Sequence, residues 1–219
     1  NWDGTANGSE VRVNTTTAGN QGNASVGMNA LGQYVVAWTG NGTGDGSGVF
    51  FQRYSSALVV DTTSDAADGT TTSIAALLAN RGADGRISLR EAILAANNTA
   101  NVGGADRIYF NIPGVGVQTI NLSAALPTLS DAVSIDATTQ SGFAGTPLIE
   151  INGTGAGPGA EAFVIDANNS SVRGFIINRF ASDGIEVNGT GITVAGNWIG
   201  LGSDGVTDRG NNNFGIWVT

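Results

Sequence analysis

The feature that most constrains the fold is a repeat near the C-terminal side. Ala162-Phe163-Val164-Ile165-Asp166 matches Gly184-Ile185-Glu186-Val187-Asn188 at an offset of 185 − 163 = 22 residues. The same offset carries Val172-Arg173-Gly174-Phe175-Ile176-Ile177 onto Val194-Ala195-Gly196-Asn197-Trp198-Ile199. A third copy, Gly215-Ile216-Trp217-Val218-Thr219, follows after 216 − 185 = 31 residues, which predicts a loop insertion over Gly202 to Asn213. Short runs with period-2 alternation, separated by Gly and Asn, predict stacked strands. One layer cannot bury its own apolar face, so stacked layers must share a core. The alternation points Phe163, Ile165, Val172, Ile177, Ile185, Val187, Val194, Ile199, Ile216 and Val218 inward. It places Val164, Glu186 and Trp217 in one outward column, with Asp166 and Asn188 in a neighbouring one.

Composition narrows the chemistry. The nine basic residues of this 219-residue chain are all Arg, and there is no Lys, His or Cys. Disulfides, thiolate metal sites, Schiff-base lysines and histidine acid–base catalysis are therefore excluded. A net charge of −9 argues against nucleic acid and anionic membrane surfaces as partners. Only 12% of residues are charged and 34 are Gly, which suits an all-β chain with many turns. No apolar run reaches membrane-spanning length. The acidic, polar surface points to an extracellular or cell-surface location.

Three regions follow. Residues 1–54 read as an antiparallel β module with strands at Glu10–Asn14, Ala24–Met28, Gln33–Trp38 and Val49–Tyr54, and a turn over Gly40–Gly48. Residues 55–105 read as a linker and helical cap. Within it, Thr72 or Ser73 caps a short helix, and Ser88-Leu89-Arg90-Glu91 is a capping box opening a second helix over Leu89–Ala96. Residues 106–219 carry the stacked strands.

Two resemblances add to this reading. Val13-Asn14, Gln21, Ser25-Val26-Gly27-Met28, Gly32-Gln33-Tyr34-Val35-Val36-Ala37-Trp38 and Gly48-Val49-Phe50-Phe51-Gln52-Arg53-Tyr54 resemble a bacterial surface-protein β repeat. Asp84-Gly85-Arg86-Ile87-Ser88-Leu89-Arg90-Glu91-Ala92-Ile93, continued through Asp183-Gly184-Ile185 and Gly196-Asn197-Trp198-Ile199-Gly200, resembles the CSLREA-type bacterial surface proteins. Ile87 stands where that family's name-giving Cys would be. The resemblance covers about residues 58–219 and implies an all-β fold, a right-handed parallel β-helix (solenoid) with a short helical N-terminal cap.

The function expected from these features is a non-catalytic secreted or cell-surface structural protein, adhesin-like or a self-assembling filament subunit. The alternative is a polysaccharide-binding or polysaccharide-cleaving protein. Polysaccharide hydrolysis needs converging carboxylates, and the Glu186 column holds only one. Trp198 and Trp217 beside Glu186 are the candidates for stacking on sugar rings. No cofactor is required; Ca²⁺ is the one left open, through Asp45 and Asp204 in Asp-Gly turns and Asp208 in the same inserted loop as Asp204, where a turn role is favoured for the Asp-Gly pairs. The expected partners are copies of the same chain in head-to-tail contact or a continuation of a longer chain, with Gly215–Thr219 read as an unfinished layer.

Overall fold

A computed structural model of the chain describes residues 19–28, 34–42, 45–54, 58–101 and 104–219. It divides into two compact units, Asn1–Ser56 and Ala57–Thr219.

In the first unit, strands β1 (Gln21–Met28), β2 (Tyr34–Gly42) and β3 (Asp45–Tyr54) form an antiparallel sheet in the order β1-β2-β3. Trp38 pairs with Phe50 across β2 and β3, and their rings stack at 6.3 Å. The glycine-rich run expected as a turn is mostly strand. Gly40 pairs with Gly48 and Gly42 with Asp45, so the ladder continues almost to the chain reversal. Glycine weakens a strand but still donates and accepts in its ladder, and alternating Gly leaves the partner strand free to approach. The expected strand at Glu10–Asn14 lies outside the described residues.

The second unit begins with strand β4 (Leu58–Val60) and two helices, α1 (Ile74–Ala79) and α2 (Leu89–Asn97). Ser73 caps α1 by accepting from the Ala76 amide. At α2 the capping box is complete: Ser88 Oγ accepts from the Glu91 amide, and Glu91 accepts from the Ser88 amide. The apolar side of α2, with Leu89, Ala92, Ile93 and Ala96 buried, packs on β4 and on β5 (Asp106–Phe110). Arg90 on the other side forms an ion pair with Asp65 at 2.9 Å and donates to the carbonyls of Ala124 and Ala125.

Beyond α2 the strands are β6 (Gln118–Asn121), β7 (Val133–Asp136), β8 (Ile149–Asn152), β9 (Phe163–Ile165), β10 (Ser171–Arg173), β11 (Phe175–Asn178), β12 (Ile185–Val187), β13 (Thr193–Ala195), β14 (Trp198–Ile199) and β15 (Ile216–Val218). They build three parallel sheets in the orders β13-β10-β7-β5-β4, β14-β11-β8-β6 and β15-β12-β9. One phenylalanine from each sheet meets at the centre of the core. The Phe175 ring lies 5.3 Å from Phe110 and 5.3 Å from Phe163.

The repeat offsets hold at the pairing level. Phe163 pairs with Ile185, Val172 with Val194, and Ile185 with Ile216. The expected fold class does not hold. In place of one all-β solenoid, a right-handed parallel β-helix, the described residues form separate sheets, three parallel and one antiparallel, with two helices supplying part of the core. The 22-residue spacing is local. Elsewhere the offsets between paired strands are 108 − 58 = 50, 133 − 106 = 27, 171 − 134 = 37 and 149 − 118 = 31 residues. The strands are short and end at bends such as Gly174, Gly196 and Gly200, all in the left-handed region, which turn the chain out of the strand even though the Gly174 and Gly200 amides still donate to the Ala195 and Ile177 carbonyls.

The inward expectation is met by Phe163, Ile165, Val172, Ile177, Ile185 and Val187, all buried. At the outermost strands the inward face is kept but the cover is thinner: Val194 and Ile199 still pack against the core, and Ile216 and Val218 stand in register with Ile185 and Val187. Val194 and Ile199 are half-buried, while Ile216 and Val218 are 43% and 67% exposed. Strands β13, β14 and β15 each have a sheet neighbour on one side only, so their side chains are covered from one side.

One core-facing group carries a cost. Asp106 is 5% exposed and its Oδ2 meets no hydrogen-bond donor. Burial, and then the neighbouring Asp131 carboxylate, push its pKa from 3.8 to about 6. The folded chain therefore holds a proton here that the unfolded chain releases, and stability falls as pH rises from about 4 through 6. At 1.36 kcal/mol per pH unit the loss is about 3 kcal/mol at neutral pH. Asp106→Asn is expected to raise the urea midpoint at pH 7.5 and to give no gain at pH 4. Equal effects at both pH values would show that charge is not the cause.

Candidate functional site

The outward polar groups of the second unit are joined in ladders that run from strand to strand. Asn188 Nδ2 donates to Asp166 Oδ1 at 2.8 Å, and Thr219 Oγ1 donates to Asn188 Oδ1 at 2.7 Å. Asn152 Nδ2 donates to Asn121 Oδ1, and Ser171 Oγ to Ser134 Oγ, each at 2.8 Å. Thr190 reaches Asn168 through both its amide and its hydroxyl. Parallel pairing in register places these side chains above one another, at offsets of 22, 31 and 37 residues, and Asn, Ser and Thr can each donate and accept, so one can link to the next.

The residues singled out from sequence are dispersed. Glu186 pairs with Val164 on one side and Trp217 on the other, so the expected column exists. Trp217 is 46% exposed. Trp198, however, belongs to β14 in a different sheet and is half-buried. A β-carbon at Gly205 would meet its ring at 2.8 Å, so the inserted loop lies directly on the indole. The two tryptophans do not form one stacking face.

The inserted loop is a small hairpin. Leu201 bridges Asp208 antiparallel, and the Gly202 amide donates to the Thr207 carbonyl at 2.8 Å. Asp204 closes it: its carboxylate accepts from the Thr207 hydroxyl, the Thr207 amide and the Val206 amide. Those bonds, the hydroxyl first, pull its pKa down to about 2. Asp208 Oδ1 accepts from the Gly210 amide at 3.0 Å. Both carboxylates act as turn acceptors. Asp45 opens strand β3, in the other unit. Among the described residues no three acidic side chains gather where a metal ion could be held.

The site that sequence reading missed is a groove of about 670 Å³ in the second unit. It is lined by Gly153, Thr154, Gly157, Pro158, Arg179, Phe180, Ala181, Arg209, Gly210 and Asn212. Backbone bonds join its walls: the Arg179 amide donates to the Arg209 carbonyl at 3.2 Å, and the Asn212 amide to the Phe180 carbonyl at 3.0 Å. Arg179 has a left-handed backbone, φ 61°. Its Nη1 donates to Asn178 Oδ1 at 3.0 Å and lies 3.5 Å from Glu150 Oε1. Glu150 is itself buried and accepts from Thr119 Oγ1 and Asn178 Nδ2. A signal was present: the 31-residue offset from Ile185 to Ile216 sets position 179 against 210, beside Arg209.

No protein-family model matches the chain. No curated protein matches its sequence, and no solved structure matches its fold. Among the described residues no helix is long and apolar enough to cross a membrane.

Proposed function

We propose that this chain is a non-catalytic structural part of a secreted or cell-surface protein, with an adhesin-like role. The observation that carries the reading is the use of the outward polar side chains. Asp166, Asn188, Asn121, Asn152, Ser134 and Ser171 bond to one another across neighbouring strands, which commits them to holding the stack. A catalytic face needs polar groups held ready for substrate. The segment around α2, read from sequence as resembling CSLREA-type surface proteins, is used in the same structural way. Ser88, Arg90 and Glu91 are all engaged in fixing α2 to the segment 65–69 that precedes α1. The partners that fit are polymeric ones: further copies of this chain, a longer chain of which it is part, or a surface polysaccharide.

The test is a degradation screen. The chain is incubated with neutral and acidic polysaccharides, with and without Ca²⁺, and new reducing ends and unsaturated sugars are measured. No release above the blank is expected; turnover that follows the protein through purification would refute the reading. Light scattering on the same sample addresses self-association.

In this reading no cofactor is needed, because Asp204 and Asp208 already serve their own loop. Millimolar Ca²⁺ or EDTA is expected to leave the melting temperature unchanged. A ligand held at a hundred times its Kd would stabilise the fold by about 2.7 kcal/mol, a readily visible shift. A Ca²⁺-dependent rise that Asp204→Asn removes would establish a metal site.

A further inference from the structure

The groove beside Arg179 and Arg209 stands out because of its charge. The chain as a whole is acidic, with eighteen carboxylate side chains against nine arginines. Arg86, Arg90, Arg173 and Arg179 each have a carboxylate within 4 Å, whereas Arg209 has none among the described residues. Arg209 is exposed, and its backbone is held at both ends of the peptide: its amide donates to the Gly200 carbonyl, and its carbonyl accepts from the Arg179 amide. Arg179 is fastened at one corner only. Nη1 is engaged with Asn178 and Glu150, while Nε and Nη2 have no protein acceptor among the described residues. Glu150 balances one of the two guanidinium charges and the Asp208 carboxylate lies at the lining residue Gly210, so what the groove offers is the unpaired guanidinium of Arg209 and the free edge of Arg179 rather than an excess of positive charge.

The other walls mix small, apolar and polar residues, with Pro158 and Ala181 beside Thr154 and Asn212. Gly157, with φ 97°, would have nothing within 4 Å of an added β-carbon, so that part of the groove is open. Gly153 cannot carry a side chain, because its β-carbon would lie 2.5 Å from the Phe180 ring. Thr154 and Asn212 offer a hydroxyl and an amide to ligand hydroxyls. The volume is in the usual range for a small-molecule site. Guanidinium forks recognise planar carboxylates in bidentate geometry.

We propose that this groove binds a carboxylate-bearing saccharide, with Arg209 and the free edge of Arg179 on the carboxylate and with Thr154 and Asn212 on sugar hydroxyls. Two guanidinium groups beside a hydroxyl and a side-chain amide in one open trough match a ligand that carries both carboxylates and hydroxyls, as an acidic sugar chain does. Binding requires no cleavage, so the proposal is independent of the structural role above. Binding without turnover keeps both; turnover would remove that role and leave the groove.

The test is calorimetric titration of the full chain with a galacturonate tetramer, a neutral galactose tetramer and a tetraglutamate peptide. Saturable binding of the galacturonate tetramer alone is expected. Arg209→Gln is expected to weaken it at least about tenfold, the scale of one charge-assisted hydrogen-bonded contact, without changing the melting temperature. Arg179→Gly keeps the left-handed backbone and should weaken it further. No binding of the galacturonate tetramer overturns the proposal. So does equal binding of the neutral sugar, tighter binding of tetraglutamate, or unchanged affinity in Arg209→Gln.

Discussion

Replacing Phe175 with alanine is expected to destabilise the second unit by about 3–5 kcal/mol, the range for truncating a buried phenylalanine. The ring is fully buried and is the one that touches both other phenylalanines of the central cluster. Phe110 belongs to the five-stranded sheet, Phe175 to the four-stranded sheet and Phe163 to the three-stranded sheet. The strand ladders stop within each sheet; apart from bridges such as Asn197, which bonds the Val172 carbonyl and the Phe175 amide, the sheets are held together by side-chain packing at this junction. Removing the middle ring leaves a cavity that short strands cannot close without losing their registers. The loss is a large fraction of the 5–15 kcal/mol typical of a domain. Urea unfolding followed by far-UV circular dichroism would measure it. A cost below about 1 kcal/mol would mean that the sheets are held together by something other than this cluster.

Glu91→Ala is expected to cost a similar amount, about 3–5 kcal/mol, by another mechanism. The carboxylate is buried in the first turn of α2. Its Oε1 accepts from the Asp68 and Gly69 amides at 3.0 and 2.7 Å, and its Oε2 from the Ser88 amide and hydroxyl at 2.9 and 3.1 Å. Truncation orphans three backbone donors at once, each worth about 1–3 kcal/mol when left unsatisfied. Ser88→Ala, which removes the cap and the hydroxyl's bond to the Ala66 carbonyl but leaves the Glu91 carboxylate on its backbone donors, should cost less, about 1–2 kcal/mol. If the two variants were equally stable, Glu91 would be acting only as a helix cap and its hold on residues 68–69 would count for nothing.

The sequence legibly encoded what is local or strictly periodic. Ser88 and Glu91 sit three residues apart, so their box could be read directly. The pairing of Phe163 with Ile185 and of Val172 with Val194 followed from a constant offset. What could not be read depends on where non-repeating segments end up. Between residues 58 and 149 the spacing changes at every pass, so no period announces which strands pair. The separation into distinct sheets comes from bends at Gly174, Gly196 and Gly200, which look like any other glycine in a chain with 34 of them. Ile216 and Val218 have the alternation of core residues, but alternation gives the face and not whether a neighbour covers it. The Arg179–Arg209 groove draws on residues 153–158, 179–181 and 209–212, three stretches without a common motif. Asp106 could not be picked out either, since its burial depends on what packs over it.

The hairpin after β14 has an optical consequence. Gly205 rests on the indole of Trp198, and the hairpin's closing residues run straight into Arg209 and Gly210 at the groove. Lifting the loop would hydrate that indole and shift its emission to longer wavelength. Trp198 is one of four tryptophans, so with Trp2, Trp38 and Trp217 replaced by Phe its emission would report the local opening free energy of the hairpin, well below the conditions that unfold the core.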